Sequence, residues 1–132
     1  MNALKVCVPD MTSTVLIIEN EPFVLDAMAE ILATIGLKSI GVYDGLSGVD
    51  IYKKRATEID VVILDMNLPG MAGPEVYKNI HLVNPGVKVI VSSGFDESDV
   101  KAMFGEYQPM TILKKPFNAQ MLLDHVNCAL SA

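Results

Sequence analysis

A short apolar run that ends in an aspartate constrains the fold of this chain most strongly. Residues 61–64 are Val-Val-Ile-Leu, Asp65 follows, and Pro69, Gly70 and Gly73 punctuate the next segment. Consecutive apolar residues rich in β-branched side chains are typical of a strand buried on both faces. Proline and glycine do not continue such a strand. Because ligands of open α/β sheets bind beyond the carboxyl ends of the strands, we interpret Asp65 as a nucleophile in a crevice.

Five units of strand followed by helix are predicted along the chain. The first, third and fourth strands are the most apolar, which favours the centre of a sheet, and the other two suit its edges. Alternation of strands and helices predicts an α/β fold with a parallel sheet and helices on both faces. We therefore expect a flavodoxin-like (βα)5 doubly wound sheet in the order 2-1-3-4-5. The predicted strands are residues 15–18, 39–43, 61–65, 87–91 and 111–113.

Apolar residues recur at helical spacing after each predicted strand. Gly36 is expected to stop the first helix, and Asn118 to cap the last one. The fourth helix is predicted over residues 96–107, with Val100 and Met103 facing inward.

Length, charge and cysteine content narrow the class of protein. The 132 residues are 51% hydrophobic and predict one domain over residues 13–132, preceded by a tail or linker over residues 1–12. A net charge of −6 argues against direct nucleic-acid binding. No apolar run approaches the roughly 18 residues of a membrane helix. Cys7 and Cys128 lie far apart and lack metal-ligand spacing, so neither a metal cluster nor a disulfide scaffold is expected. The absence of a disulfide pattern is typical of a reducing compartment, and a cytoplasmic location is therefore expected.

Polar side chains follow four of the predicted strands, and the carboxyl ends of parallel strands meet at one edge. Carboxylate and amide oxygens there predict a Mg²⁺ site, since Mg²⁺ needs few protein ligands and keeps several waters. A lysine and a hydroxyl would stabilise the oxygens of a phosphoryl group transferring to the central aspartate. The residues concerned are Glu19, Asn20, Asp65, Ser93 and Lys115.

This set of residues closely resembles the receiver domain of bacterial two-component response regulators and hybrid histidine kinases. The resemblance covers residues 15–130 and extends to Pro69, Gly73 and the Lys115–Pro116 pair. It implies that Asp65 is the phosphoacceptor and that Lys115 and Ser93 assist it. It also implies a cis peptide before Pro116 and Mg²⁺ ligation by Glu19, Asn20, Asp65 and the backbone carbonyl of Asn67.

The resemblance further implies a signalling function rather than a separate enzymatic one. Asp65 would take a phosphoryl group from a phosphohistidine on a histidine kinase or histidine phosphotransfer protein. Ser93 would then move toward the phosphate and alter the surface around the fourth helix and fifth strand. That surface would act on an output domain or target protein, or form a homodimer. The sequence contains no pattern for an output domain, so the domain is expected to act alone or within a larger protein.

Two residues, Asn20 and Ile112, depart from the family pattern, and Phe95 bears on how long the phosphoryl group would last. Asn20 stands where a second acidic residue is usual, which predicts weaker Mg²⁺ binding. Ile112 stands where the family has a switching aromatic residue. Phe95 follows Ser93 by two residues, and predicts slow loss of the phosphoryl group because it would hinder attacking water.

Alternative interpretations stay open. The domain could be a pseudo-receiver that binds a protein without phosphorylation, which Asn20 and Ile112 favour. It could also be a small hydrolase, although dehalogenase-type phosphatases need an aspartate at the position of Asn67. Lys114 is interpreted as a solvated lysine and Cys128 as a small apolar filler in the core.

Overall fold

The computed structural model describes residues 13–132, and the predicted tail or linker over residues 1–12 lies outside the described residues. Strands and helices alternate through this part of the chain. The strands are β1 (Thr14–Ile18), β2 (Lys38–Val42), β3 (Val61–Asp65), β4 (Val89–Ser93) and β5 (Thr111–Lys114). The helices are α1 (Pro22–Ala33), α2 (Gly45–Arg55), α3 (Gly73–Val83), α4 (Glu97–Phe104) and α5 (Ala119–Ser131).

The strands form one parallel sheet in the order β2-β1-β3-β4-β5, which confirms the predicted topology. Every residue of β1, β3 and β4 is buried, whereas β2 and β5 are only partly buried. Burying one aliphatic side chain contributes about 1.5–3 kcal/mol, so the three apolar central strands hold the domain together. Their shared direction places all five carboxyl ends at one edge.

Two apolar cores flank the sheet. One lies beneath α1 and α5, and the other beneath α2, α3 and α4. On α5, Leu122, Val126 and Ala129 are buried and form the face that packs on the sheet. Among the described residues, no helix is long and apolar enough to cross a bilayer.

The helix ends follow their local chemistry. The helix α1 ends at Ala33, and Gly36 has a φ of 82°, a conformation that favours glycine. The Asn118 side chain accepts a hydrogen bond from Met121 N at 2.8 Å, which confirms the predicted cap of α5. Asp44 caps α2 by accepting from Ser47 N at 2.7 Å. Such caps each contribute about 1 kcal/mol.

The prediction for the fourth helix was partly wrong. The helix ends at Phe104, because Gly105 has a φ of 64°, and a residue with positive φ does not continue a right-handed helix. Val100 is buried as expected, but Met103 is 48% exposed. Phe104 takes the inward position instead, and its ring packs edge-on against Tyr77 with a centroid distance of 5.7 Å.

Two further expectations need correction. The fourth strand begins at Val89 rather than residue 87 and extends through Ser93, because its register pairs Val89 with Val62 of β3. Cys128 is exposed and is not a core filler. Its position on α5 points away from the buried face that Val126 and Ala129 share, since successive helical residues are about 100° apart.

Candidate functional site

The carboxyl edge of the sheet brings the predicted side chains together. Asp65 ends β3, Ser93 ends β4, Glu19 follows β1 directly and Lys115 follows β5 directly. Backbone hydrogen bonds continue the sheet into this edge. Glu19 N donates to Val42 O at 3.0 Å, and Lys115 N donates to Ser93 O at 2.7 Å. The site is therefore built on the ends of rigid strands rather than on a free loop.

Asp65 is held by two donors. Its side chain is only 3% exposed. The Oδ1 atom accepts from Lys115 Nζ at 3.2 Å and from Asn67 N at 3.1 Å. A buried carboxylate needs such partners, because an unpaired charge away from water is costly. The sequence separation between Asp65 and Lys115 is 50 residues, so only the fold brings them into contact.

Glu19 is the second buried carboxylate of the site. Its Oε2 atom accepts from Glu21 N at 3.1 Å. Its Oε1 atom is buried without a hydrogen bond and lies 3.6 Å from Lys115 Nζ. Burial, followed by repulsion from the Asp65 carboxylate, raises the pKa of Glu19 from 4.5 to about 6. The proximity of Lys115 opposes this rise but does not cancel it.

Glu19, Asp65 and Lys115 form what we call the acidic cluster. Two carboxylates face one ammonium group, so with all three groups ionised the cluster carries one net negative charge. The Lys115 side chain is 31% exposed, which leaves its ammonium group accessible from solvent. An incoming dianionic group can therefore meet this positive charge directly.

Asn20 lies at the mouth of the cluster and is exposed. The atom of its side-chain amide that faces the site lies 3.2 Å from Asp65 Oδ2 and 3.3 Å from Asn67 O. An amide nitrogen at this position donates to both oxygens, whereas an amide oxygen at this position forms with them a set of three oxygen ligands for a cation.

Ser93 lies on the same edge but has a different partner. It is 1% exposed, and its Oγ accepts from Phe95 N at 2.9 Å. No hydrogen bond joins Ser93 Oγ to Asp65 within the part of the chain that the structure describes. Phe95 is 41% exposed. The structure thus places Ser93 near the phosphoacceptor candidate while its hydroxyl is engaged in the following turn.

Lys114 is solvent-exposed, as the sequence predicts, but it also makes contacts across the sheet edge. Its Nζ donates to Gly94 O at 2.9 Å and to Asp96 Oδ1 at 3.4 Å. The side chain therefore ties β5 to the segment between β4 and α4. The parallel pairing of Ser93 with Lys114 explains this contact. This contact could have been predicted from the expected strand order, because that order places β5 beside the end of β4.

The donor set at the acidic cluster fits a hard divalent cation. It combines the carboxylates of Glu19 and Asp65 with the backbone carbonyl of Asn67. Glu19 Oε1 is buried and makes no hydrogen bond, so a bound cation would offset the cost of burying this charged oxygen. Among residues 13–132, no group of three or more His, Cys, Asp or Glu side chains is arranged to hold a metal ion, so a cation here would depend on two carboxylates together with other oxygen donors. Mg²⁺ accepts two carboxylates completed by a carbonyl and water.

The sheet order and the buried carboxylates at its carboxyl edge define a flavodoxin-like α/β domain with a ligand site at the point where the strand order reverses. Comparison with known proteins narrows this class. The family model for the response regulator receiver domain matches residues 15–127. The chain belongs to the response regulator receiver domain family.

Two relatives illustrate the family. Sporulation initiation phosphotransferase F from Bacillus subtilis is 28% identical over 88% of this chain and 92% of its own length. A cyclic di-GMP phosphodiesterase from Thermotoga maritima is 31% identical over 83% of this chain. This chain spans only 28% of that phosphodiesterase's length. The shared region is therefore the receiver domain.

A solved structure supports the same assignment. The CheX-CheY-BeF3-Mg+2 complex from Borrelia burgdorferi matches with a TM-score of 0.79 and 28% identity. The match covers 87% of this chain and 87% of that chain.

Proposed function

We propose that this domain accepts a phosphoryl group on Asp65 from a phosphohistidine. The observation that carries the proposal is the buried contact of Asp65 with Lys115, beside the Glu19 carboxylate. A nucleophilic carboxylate needs a nearby positive charge to offset repulsion from the incoming phosphoryl oxygens. Membership of the receiver family supports this assignment.

In the proposed step, an Asp65 carboxylate oxygen attacks phosphorus. The bond between phosphorus and the donor's imidazole nitrogen breaks, and the imidazole keeps the electron pair and takes up a proton. Asn67 N and Lys115 Nζ hold the carboxylate in place through their hydrogen bonds to Oδ1. In the transition state, Lys115 Nζ can then donate to a phosphoryl oxygen.

We propose that the cation is Mg²⁺, held by Glu19, Asn20, Asp65 and the backbone carbonyl of Asn67. When bound, Mg²⁺ supplies positive charge that neutralises the transferring phosphoryl oxygens. Two features support this proposal: Glu19 Oε1 is buried without a hydrogen bond, and all the donors are oxygens. The Borrelia complex that contains Mg in its title is a structural neighbour.

Phosphorylation of Asp65 would change the conformation of Ser93. Its hydroxyl is bonded to Phe95 N, and a rotation of the side chain would free it to donate to a phosphoryl oxygen. Such a rotation loosens the turn that leads into α4. Ile112 is half-buried against the core beneath α4 and cannot rotate as an aromatic side chain would. We therefore propose that the signal passes through the backbone between β4 and α4 to an output domain or target protein.

The proposed donor is a histidine kinase or a histidine phosphotransfer protein. A groove of about 560 Å³ lies between α1 and the start of α5. Phe23 and Phe117 line it, and so does Lys115 of the acidic cluster. Because Lys115 belongs to both, a donor protein seated on the groove would have its phosphohistidine next to Asp65. The Phe23 side chain, 88% exposed, gives this donor an apolar contact.

The docking proposal can be tested with a purified, autophosphorylated histidine kinase as donor. We expect Phe23→Ala to slow transfer from the kinase and to leave labelling by acetyl phosphate unchanged. Leu82→Ala is the matched control, since Leu82 is 72% exposed on α3, away from the groove. Equal slowing by both variants would contradict docking at the groove.

A second candidate function is a pseudo-receiver that binds a protein without phosphorylation. The observation that favours it is Asn20, whose neutral amide lies 3.2 Å from Asp65 Oδ2 and adds no negative charge for a cation. Under this alternative the acidic cluster would serve folding and recognition only.

One experiment separates the two candidates. The protein is incubated with Mg²⁺ and acetyl phosphate, and its intact mass is measured. We expect a single phosphoryl addition that requires Mg²⁺ and is absent from Asp65→Asn. Lack of any addition at high Mg²⁺ would overturn the phosphoacceptor proposal and favour the pseudo-receiver.

A further inference from the structure

Ser92 is a buried serine beside Asp65 that the proposed function does not yet use. The two residues are paired in register on β4 and β3, and Met66 N donates to Ser92 O at 2.9 Å. Neighbouring strands lie about 4.8 Å apart, and residues paired in register point their side chains to the same face of a parallel sheet. The Ser92 side chain therefore lies on the same face of the sheet as the Asp65 carboxylate, one strand away.

The Ser92 hydroxyl is buried and has no hydrogen-bond partner among residues 13–132. The residue is 0% exposed, and burying a hydroxyl without a partner is costly. The next residue, Ser93, lies on the opposite face of the strand, because side chains alternate along a strand. The Oγ atom of Ser93 already accepts from Phe95 N at 2.9 Å. Of the two hydroxyls at the end of β4, the one in register with Asp65 is thus the one without any partner.

The partners of Asp65 change during the proposed phosphoryl transfer. In the structure, Asp65 Oδ1 accepts from Lys115 Nζ at 3.2 Å and from Asn67 N at 3.1 Å. When Lys115 Nζ turns to a phosphoryl oxygen and Asp65 Oδ2 attacks phosphorus, Asp65 Oδ1 keeps only the Asn67 donor. A rotation about χ1 moves a serine hydroxyl between staggered positions, so Ser92 can supply the missing donor from the neighbouring strand.

We propose that Ser92 is a positioning residue for this transfer, and that its hydroxyl donates a hydrogen bond to Asp65 Oδ1 as Lys115 Nζ turns to the phosphoryl oxygen. No proton is transferred, and Ser92 keeps its O–H bond throughout. Because this hydrogen bond is absent before transfer and forms during it, it lowers the barrier without stabilising the unphosphorylated protein. The inference rests on the proposed function of Asp65 and adds one residue to that site.

The rate of Asp65 labelling by acetyl phosphate at saturating Mg²⁺ tests this role. We expect Ser92→Ala to slow labelling about fivefold, since it removes one hydrogen bond that is made only during transfer. Ser131→Ala is the matched control, because it removes a serine hydroxyl at the exposed end of α5, where Ser131 Oγ donates to Asn127 O. The control should label at the wild-type rate. An unchanged rate in Ser92→Ala would overturn the inference.

Thermal unfolding separates this role from a purely structural one. Alanine has no hydroxyl to bury, so Ser92→Ala should have a Tm equal to or above that of the wild type while its labelling is slower. A Tm below that of the wild type would indicate that the Ser92 hydroxyl is already bonded in the unphosphorylated protein. That result would contradict a hydrogen bond made only during transfer.

A second pair of variants isolates the hydroxyl at constant side-chain size. Threonine and valine have nearly the same shape, and they differ by a hydroxyl in place of a methyl group. We expect Ser92→Thr to be labelled faster than Ser92→Val, by about the same factor that separates the wild type from Ser92→Ala. Equal labelling rates in the threonine and valine variants would overturn the role of the hydroxyl.

Failure of this inference differs from failure of the proposed function. Labelling of Ser92→Ala at the wild-type rate, with no labelling of Asp65→Asn, overturns only the role of Ser92. Absence of labelling from the wild-type protein at high Mg²⁺ overturns the phosphoacceptor proposal and this inference together.

Discussion

The acidic cluster and the segment that joins β4 to α4 differ in how they are held. In the cluster, Glu19 and Asp65 are buried, and Lys115 lies within 3.6 Å of both carboxylates. By contrast, residues 94–99 are all exposed. Their ties to β5 run through Lys114, whose ion pair with Asp96 is solvent-exposed on both sides.

This difference assigns different roles to the two regions. Buried, bonded charges keep their geometry, because separating them leaves a charge unpaired in a poorly solvated place. Exposed ion pairs contribute only about 0–1 kcal/mol, so a segment held by one can shift at little cost. Under the proposed function, the chemistry would belong to the rigid region and the response to the region that can move.

Substitution of the two adjacent lysines gives the largest expected difference between these regions. Lys115→Ala should lower the rate of Asp65 labelling by acetyl phosphate about a hundredfold, because it removes the preorganised positive charge at the carboxylate. Lys114→Ala should leave that rate within about twofold, since it removes only an exposed tie. Intact mass measured over time gives both rates. Similar losses of labelling rate in the two variants would contradict the different roles assigned to the acidic cluster and the exposed segment.

The raised pKa of Glu19 predicts a pH dependence of stability that belongs to the acidic cluster. The folded protein has a Glu19 pKa of about 6, against the ordinary 4.5, so it binds this proton more tightly than the unfolded chain does. The contribution of Glu19 to stability is therefore full below pH 4.5 and is lost as the pH rises through about 6. At pH 7 the ionised group costs about 2 kcal/mol in the metal-free protein.

Glu19→Gln should remove this cost. We expect it to raise the free energy of unfolding at pH 7 by up to about 2 kcal/mol, and by much less below pH 4.5. Urea unfolding in EDTA at several pH values measures the difference from the wild type. Glu106→Gln, at an exposed position after α4, is the control and should show no such dependence. A constant difference across this pH range would refute the proposed cause.

Substitution of Phe95 should give the smallest effect of the three, a change in the lifetime of the phosphorylated protein. It tests whether the exposed segment controls the access of water. We expect Phe95→Glu to shorten the lifetime of the phosphorylated protein about fivefold, because a carboxylate can orient an attacking water where the ring excludes it. The decay of the phosphorylated mass after removal of the donor measures this lifetime. Tyr107→Glu, which changes a ring that is 43% exposed beyond α4, is the control. An unchanged lifetime in Phe95→Glu would contradict the proposal that the Phe95 ring excludes attacking water.

The strands and their order could be predicted because their signals are local and redundant. Each central strand is a continuous apolar run, and each run ends in a polar residue. The inward face of α4 was harder to predict, because Met103 and Phe104 are both apolar and lie close to the side of Val100. Only packing against Tyr77 selects the ring of Phe104. The exposure of Cys128 was missed for a similar reason, since its small apolar side chain fits either face of α5.

The sequence by itself determined which residues lie at the carboxyl edge of the sheet, because strand direction and strand order follow from the alternation of apolar runs and helices. It did not determine how those residues pair. The contact of Lys115 with Asp65 and Glu19 and the raised pKa of Glu19 both depend on distances between the ends of different strands. Electrostatic energies vary steeply with such distances and with burial, and only the tertiary structure decides both.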